Sequence, residues 1–152
     1  YPIADKIVFQ KVRAALGPGL EAAALRAIEL PHLTQVNFDH LLWSCDLNFV
    51  RGEDSAVRAM WAGAPFVWQF YRQDDGAHHR KLDAFLDRFL AGANKAWARD
   101  LRAFWRAWNG AGPLPDLPAM PPWQAQATAW RDGLAAQPDL CTQLMGFARE
   151  KR

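Results

Sequence analysis

Cysteine is scarce in this 152-residue chain: Cys45 and Cys141 stand far apart, in no C-x-x-C pair. With no His at metal-ligand spacing beside them they support neither a zinc site nor a disulfide framework, and a reduced cytosolic pair is the simplest reading. The adjacent His78-His79 are expected on different faces of a helix and so make no metal site either. No apolar run approaches membrane-spanning length and nothing at the start resembles a signal peptide, so the expectation is a soluble, cytoplasmic protein without a membrane partner. An excess of one charge is lacking too: 18 Lys and Arg face 16 Asp and Glu, for a formal net charge of +2, and the basic residues are scattered among acids. Nucleic-acid binding gains no support from that distribution. There is no internal repeat. The chain opens on Tyr1 and not on methionine, which suggests a fragment or a processed product.

What is abundant is aromatic: eight Trp and nine Phe, falling mostly at helical spacing. One domain with a large aromatic core is the expectation. Residues 3–16 carry Val8, Val12, Ala15 and Leu16 on one helical face and are stopped by Gly17-Pro18-Gly19. A strand is expected over 25–30, ended by Pro31. Phe38, Leu41, Leu42 and Cys45 recur at helical spacing, with Asn37 as the expected cap. Residues 72–79 read as a polar loop, and from there the pattern is helical: Leu82, Phe85, Leu86, Phe89 and Leu90 form one apolar face, and Trp97, Leu101, Phe104, Trp105 and Trp108 a second. The proline-rich link 112–123 reads as an ordered turn over the core, followed by a helix lined by Trp123, Ala127, Trp130 and Leu134 and a last one lined by Leu140, Leu144 and Phe147. Indole faces also suit sugars and cations, but this spacing favours packing in the core.

The chain is organised around Asp46–Ser55, DLNFVRGEDS. Leu47, Phe49 and Val50 read as a short strand, Gly52 as the corner, and Asp54-Ser55 as N-cap chemistry for a helix carrying Val57, Met60 and Trp61. PFVWQFY, residues 65–71, is a continuous run of strand formers, as a strand covered on both faces would be. The middle of the chain therefore reads β-α-β-α-β, an α/β fold with a parallel sheet. Both polar clusters, 51–55 and 71–76, follow parallel strands and lie on one sheet edge, where such sheets bind ligands. A strand-turn-helix points free backbone N–H groups and the positive end of a helix dipole at one spot, which suits a phosphate or diphosphate. Glu53 and Asp54 would repel a bare phosphate, so an acid there makes more sense as a hydroxyl acceptor. The plainer alternative is an ordinary βα connection whose acids are favourable charges in the first helical turn.

Residues 30–86 carry a set of specific motifs: LP-x-x-x-Q followed by FD-x-LLW, then DLNFVRGEDS-x-VRA-x-WAG-x-PFVWQ, then Y-x-Q-x-x-x-A-H-x-x-KL-x-AFL. These closely resemble the C-terminal part of the bacterial protein-arginine rhamnosyltransferase family EarP, whose members modify elongation factor P. The resemblance is looser over the helices that follow. It implies a two-domain GT-B architecture in which this chain is the Rossmann-like, C-terminal, sugar-nucleotide-binding half, with flanking helices and a helical C-terminal region. The N-terminal half, with the acceptor side of the cleft and the aspartate general base, has no counterpart here, so catalysis by the chain alone is not expected.

The resemblance further implies an inverting transfer of rhamnose from dTDP-β-L-rhamnose to an arginine of elongation factor P, with no cofactor and no metal. Gln35 and Phe38 would hold the thymine. Arg51, Gly52, Asp54 and Ser55 would form the diphosphate-facing turn, Tyr71 and Gln73 would close the pocket, and Glu53, matching a family residue important for activity, is the catalytic candidate beside the sugar. His32 stands where the family often has an apolar or aromatic residue. The alternatives are a non-catalytic α/β interaction module and a transferase using another nucleotide sugar.

Overall fold

The computed structural model describes residues 30–151. In chain order these form α1 (Gln35–Ser44), β1 (Asn48–Arg51), α2 (Glu53–Ala62), β2 (Phe66–Gln69), α3 (Ala77–Phe89), α4 (Lys95–Trp108), α5 (Met120–Ala135) and α6 (Leu140–Glu150). The helix expected over 3–16 and the strand expected over 25–30 lie outside the described residues, Leu30 excepted, which is in no regular element. The fold is mixed, with a small parallel sheet and a largely helical second half.

β1 and β2 pair in parallel, Asn48 opposite Phe66 and Arg51 opposite Gln69, with α2 as the crossover between them. A parallel pair needs such a crossover, since a two-residue turn cannot return the chain to the same end of the sheet. β2 is covered on both faces, as its unbroken apolar run predicts: Phe66 is 1% and Val67 0% exposed. Phe66 meets Phe85, Phe89 and Trp105 edge-on, with ring centroids 5.3–6.3 Å apart. The two expected apolar faces of α3 and α4 thus close over the sheet and bury Leu82, Leu86, Phe89, Leu101, Phe104 and Trp105.

Helix starts follow capping chemistry, though not always at the expected residue. α1 is capped by Thr34, whose hydroxyl accepts from Asn37 N–H at 3.2 Å. Asn37, expected as the cap, is instead the third helical residue and supplies the amide that Thr34 satisfies. Asn48 is buried and donates from Nδ2 to the Leu42 carbonyl at 3.0 Å, tying the last turn of α1 to the start of β1. Arg58 reaches both carboxylate oxygens of Asp39 at 2.7 Å and so locks α2 to α1.

The proline-rich link lies over the core as expected: Pro118 is buried, Leu114 packs on the aromatic cluster, and the Ala119 carbonyl accepts from Trp97 Nε1 at 3.2 Å. α5 begins before Trp123, with Pro121 and Pro122 in its first turn, where a missing N–H costs nothing. It is pinned to the end of α2. Gly63 (φ 67°) closes α2 in the left-handed region, and its carbonyl accepts from Gln124 Nε2 at 2.8 Å and Thr128 Oγ1 at 3.3 Å. Arg131 covers Gly63 so closely that a Cβ there would lie 2.8 Å from a guanidinium nitrogen. α6 differs from the other helices. Its expected apolar face, Leu140, Leu144 and Phe147, is exposed.

Candidate functional site

The corner after β1 is a glycine because no other residue suits its backbone. Gly52 has φ 84° and ψ 168°, a region open essentially to glycine alone. Its N–H donates to the Gln69 carbonyl at 3.4 Å, extending the sheet by one bond, and its carbonyl accepts from Ala56 N–H at 3.2 Å, opening α2. Gly52 is therefore the N-cap. Asp54 and Ser55, expected to cap, lie inside the first helical turn, and no side chain caps the helix. Gly52 supplies no side-chain oxygen, so the amides at the start of α2 point outward without an intrahelical acceptor.

The absence of a side chain at Gly52 also makes room for Tyr71. A Cβ built at Gly52 would lie 3.1 Å from the Tyr71 hydroxyl and 3.3 Å from a ring carbon. The Arg51 guanidinium carbon lies 4.9 Å from the centre of the same ring, a cation–π contact. Around this stack is a cavity of about 250 Å³ lined by Arg51, Gly52, Glu53, Asp54, Ser55 and Tyr71. Six of the nine residues expected at the site thus line one cavity at the carboxyl ends of the two parallel strands. Gln35, exposed at the start of α1, and Phe38, half-buried against the core, do not line it. Neither does Gln73, whose side chain is exposed while its N–H donates to His78 Nδ1 at 3.2 Å. His32 is exposed and outside the cavity as well.

The cavity combines one cation with two carboxylates and a helix N-terminus. Glu53 and Asp54 are favourable charges in the first turn of α2, and Arg51 offsets them at the end of β1. Arg51 Nε is buried with no hydrogen-bond partner among the described residues. A buried donor left unpaired is costly, so this group gains most from an anionic ligand. Together these groups can hold an anion through amides and a guanidinium while offering carboxylates to hydroxyl groups.

Two residues to which sequence reasoning gave no site role hold the backbone on either side of Tyr71, at Phe70 and at Gln73. Asn109 closes α4 and is buried; its Oδ1 accepts from Phe70 N–H at 2.8 Å, and its Nδ2 donates to the carbonyls of Trp68 at 3.0 Å and Trp105 at 2.9 Å. An Asn at the end of a helical pattern, before Gly110, signals a C-cap but says nothing of a strand 39 residues away. His78 is buried and organises the loop before α3 through Gln73. Its ring contacts that of His79, with centroids 4.0 Å apart and the planes tilted by 38°. Among the described residues no group of three or more His, Cys, Asp or Glu is arranged to hold a metal ion. Burial and then the adjacent Asp46 push the Cys45 thiol above its ordinary value.

The family of Elongation-Factor P (EF-P) rhamnosyltransferases, EarP, matches residues 3–149. The protein-arginine rhamnosyltransferase of Pseudomonas aeruginosa is 46% identical over 129 residues, which cover 82% of this chain and 34% of that relative. That of Shewanella oneidensis is 35% identical over 150 residues, covering 90% and 37%. A solved structure from work on the structural basis for EarP-mediated arginine glycosylation of translation elongation factor EF-P superposes with a TM-score of 0.65 at 36% identity, over 91% of this chain and 49% of that one. The chain spans only 34–37% of the length of these curated relatives. The chain belongs to the EF-P rhamnosyltransferase family EarP.

Proposed function

We propose that this chain is the donor-binding part of an inverting, GT-B-type glycosyltransferase that moves rhamnose from dTDP-β-L-rhamnose to an arginine side chain of translation elongation factor P in the cytoplasm. The observation that carries the reading is the cavity at the strand ends, where the buried Arg51 Nε, without a partner among the described residues, and the outward amides of α2 meet two carboxylates in a chain of this family. As the glycosidic C–O bond breaks, negative charge grows on the departing dTDP. The amides at the start of α2, the Ser55 hydroxyl and the Arg51 guanidinium are preorganised donors for that charge, the role a divalent cation fills elsewhere. Glu53 accepts from a sugar hydroxyl and bears most directly on the transferring group. Asp54 supports the turn, and Tyr71 forms one wall of the cavity.

Gln35 and Phe38 take the thymine, by hydrogen bonding and packing respectively, and Gln73 closes over the nucleotide from the loop after β2. The acceptor guanidinium must lose a proton as its nitrogen attacks the anomeric carbon. That step falls to the acceptor side of the cleft, so the chain's own share is donor binding and leaving-group stabilisation.

Calorimetric titration of the folded chain with dTDP, dTDP-rhamnose, UDP and GDP tests this. The thymidine nucleotides are expected to bind more tightly than UDP or GDP, with affinity unchanged by a metal chelator. Absence of dTDP binding at millimolar concentration, with circular dichroism intact, would sink the reading.

A further inference from the structure

We infer that Asn109 is a positioning residue for the nucleotide cavity, acting through Tyr71 by taking the backbone groups of β2 that a neighbouring strand would take. In the β1–β2 ladder, β2 turns the backbone groups of residues 65 and 69 toward β1, as the bonds from Asn48 N–H to the Pro65 carbonyl and from Gly52 N–H to the Gln69 carbonyl record. The groups of residues 68 and 70 therefore point to the opposite edge. There the Asn109 amide takes both: Nδ2 donates to the Trp68 carbonyl at 3.0 Å and Oδ1 accepts from Phe70 N–H at 2.8 Å. A residue of a neighbouring parallel strand opposite Gln69 would donate and accept at those same two groups. One side-chain amide thus continues the sheet pattern past the last residue of β2, and the further bond to the Trp105 carbonyl at 2.9 Å anchors that amide to α4.

The consequence falls on the next residue. Phe70 is buried and held at its N–H, so the chain leaves β2 in one direction and carries the Tyr71 ring onto Gly52 and against Arg51. Tyr71 itself is 54% exposed, and its place over the cavity depends on that exit. The hydrogen bonds of the Asn109 amide all go to backbone groups, of Trp68, Phe70 and Trp105, none of which lines the cavity.

The inference rests on the donor-site reading for its ligand, but not for its geometry. Asn109→Asp keeps the shape and the acceptor for Phe70 N–H, yet loses both N–H donors and turns a negative charge on two carbonyls. In the 152-residue chain, dTDP affinity is to be measured for wild type, Asn109→Asp, Tyr71→Ala and the double variant, with thermal unfolding of each. Asn109→Asp is expected to weaken dTDP binding about tenfold, the equivalent of one lost hydrogen bond, and to change it less than about twofold when Tyr71 is already Ala. Its loss of stability should be the same in both backgrounds. An equal loss of affinity with and without Tyr71, or unchanged affinity in a folded Asn109→Asp chain, overturns the inference. Should Asn109→Asp fail to fold, Asn109→Ser carries the same comparison. If wild type binds no dTDP, the donor reading fails, and ligand-free NMR still decides the positioning: the Gly52 amide and Tyr71 ring signals must shift in the Asn109 variant, and unshifted signals refute it.

Discussion

The aromatic block of α3, α4 and α5 and the turn at residues 51–55 are built on opposite principles, although they share β2. In the block each position is supported many times over. Trp105 is fully buried and lies against Phe66, Phe85 and Phe89, with ring centroids 5.3–6.2 Å apart, and Phe85 and Phe89 in turn meet Trp130. At the turn the support is sparse: the Gly52 backbone bonds to Gln69 and Ala56, one ring lies over it, and the Asn109 amide holds the backbone just before that ring. Redundant packing makes the block stiff and costly to disturb. Sparse contacts leave donors and charges free for a ligand. Stability and binding should therefore separate cleanly between the two regions.

The largest effect is expected in the block. Trp105→Ala should lower unfolding free energy by about 3–5 kcal/mol, enough to threaten a domain of ordinary stability. Denaturant unfolding of the variant checks this. Trp105→Phe should cost much less, because the ring contacts are largely kept while a buried indole N–H with no partner among the described residues is removed. If both substitutions were equally damaging, ring packing would not be what holds the block together.

The same contrast explains what could be read in the sequence. The apolar faces of α3 and α4, the buried run of β2 and the strand before Gly52 are repeated patterns, in which several residues state the same period and one exception does not hide it. Six residues of the expected site form one cavity because they adjoin two such strands. What escaped depended on a single residue meeting a distant one. Asn109 reaches β2 only because α4 ends beside it, and helical spacing carries no trace of that meeting. Gly52 displaced Asp54 and Ser55 as the cap because a backbone at φ 84° needs a glycine more than the helix needs a capping oxygen. α6 has a clear apolar face, and periodicity alone could not tell that Leu140, Leu144 and Phe147 stand exposed. Gln35 and Phe38 rest on resemblance alone, Gln73 also on its place in the loop after β2, and none of the three lines the cavity.

An intermediate effect is expected where the two regions touch. Gly52→Ala forces a Cβ into a backbone region that side chains rarely adopt, at a cost of about 1–3 kcal/mol. The new methyl would also press on Tyr71, 3.1 Å from its hydroxyl oxygen. Tyr71 is exposed and can swing aside, so the steric part should be relieved at the expense of the ring's place over the cavity. The variant should unfold somewhat earlier than wild type and lose dTDP affinity by more than its stability loss accounts for. A Gly52→Ala chain that binds dTDP normally would break the link between this glycine and the nucleotide.

The smallest effect on stability, and the sharpest separation, belongs to Glu53. Its side chain is exposed in the first turn of α2, where its charge complements the helix dipole. Losing such a surface interaction costs about 0.3–1 kcal/mol. Glu53→Ala should therefore unfold almost as wild type does, and removing an acidic neighbour should, if anything, favour a bare diphosphate. The opposite is expected for the sugar nucleotide: if Glu53 accepts from a sugar hydroxyl, the variant should lose affinity for dTDP-rhamnose while keeping or gaining affinity for dTDP. Parallel titrations with the two ligands distinguish the roles. A fall in both affinities would make Glu53 part of the nucleotide cradle, and a change in neither would reduce it to a favourable charge at the start of a helix.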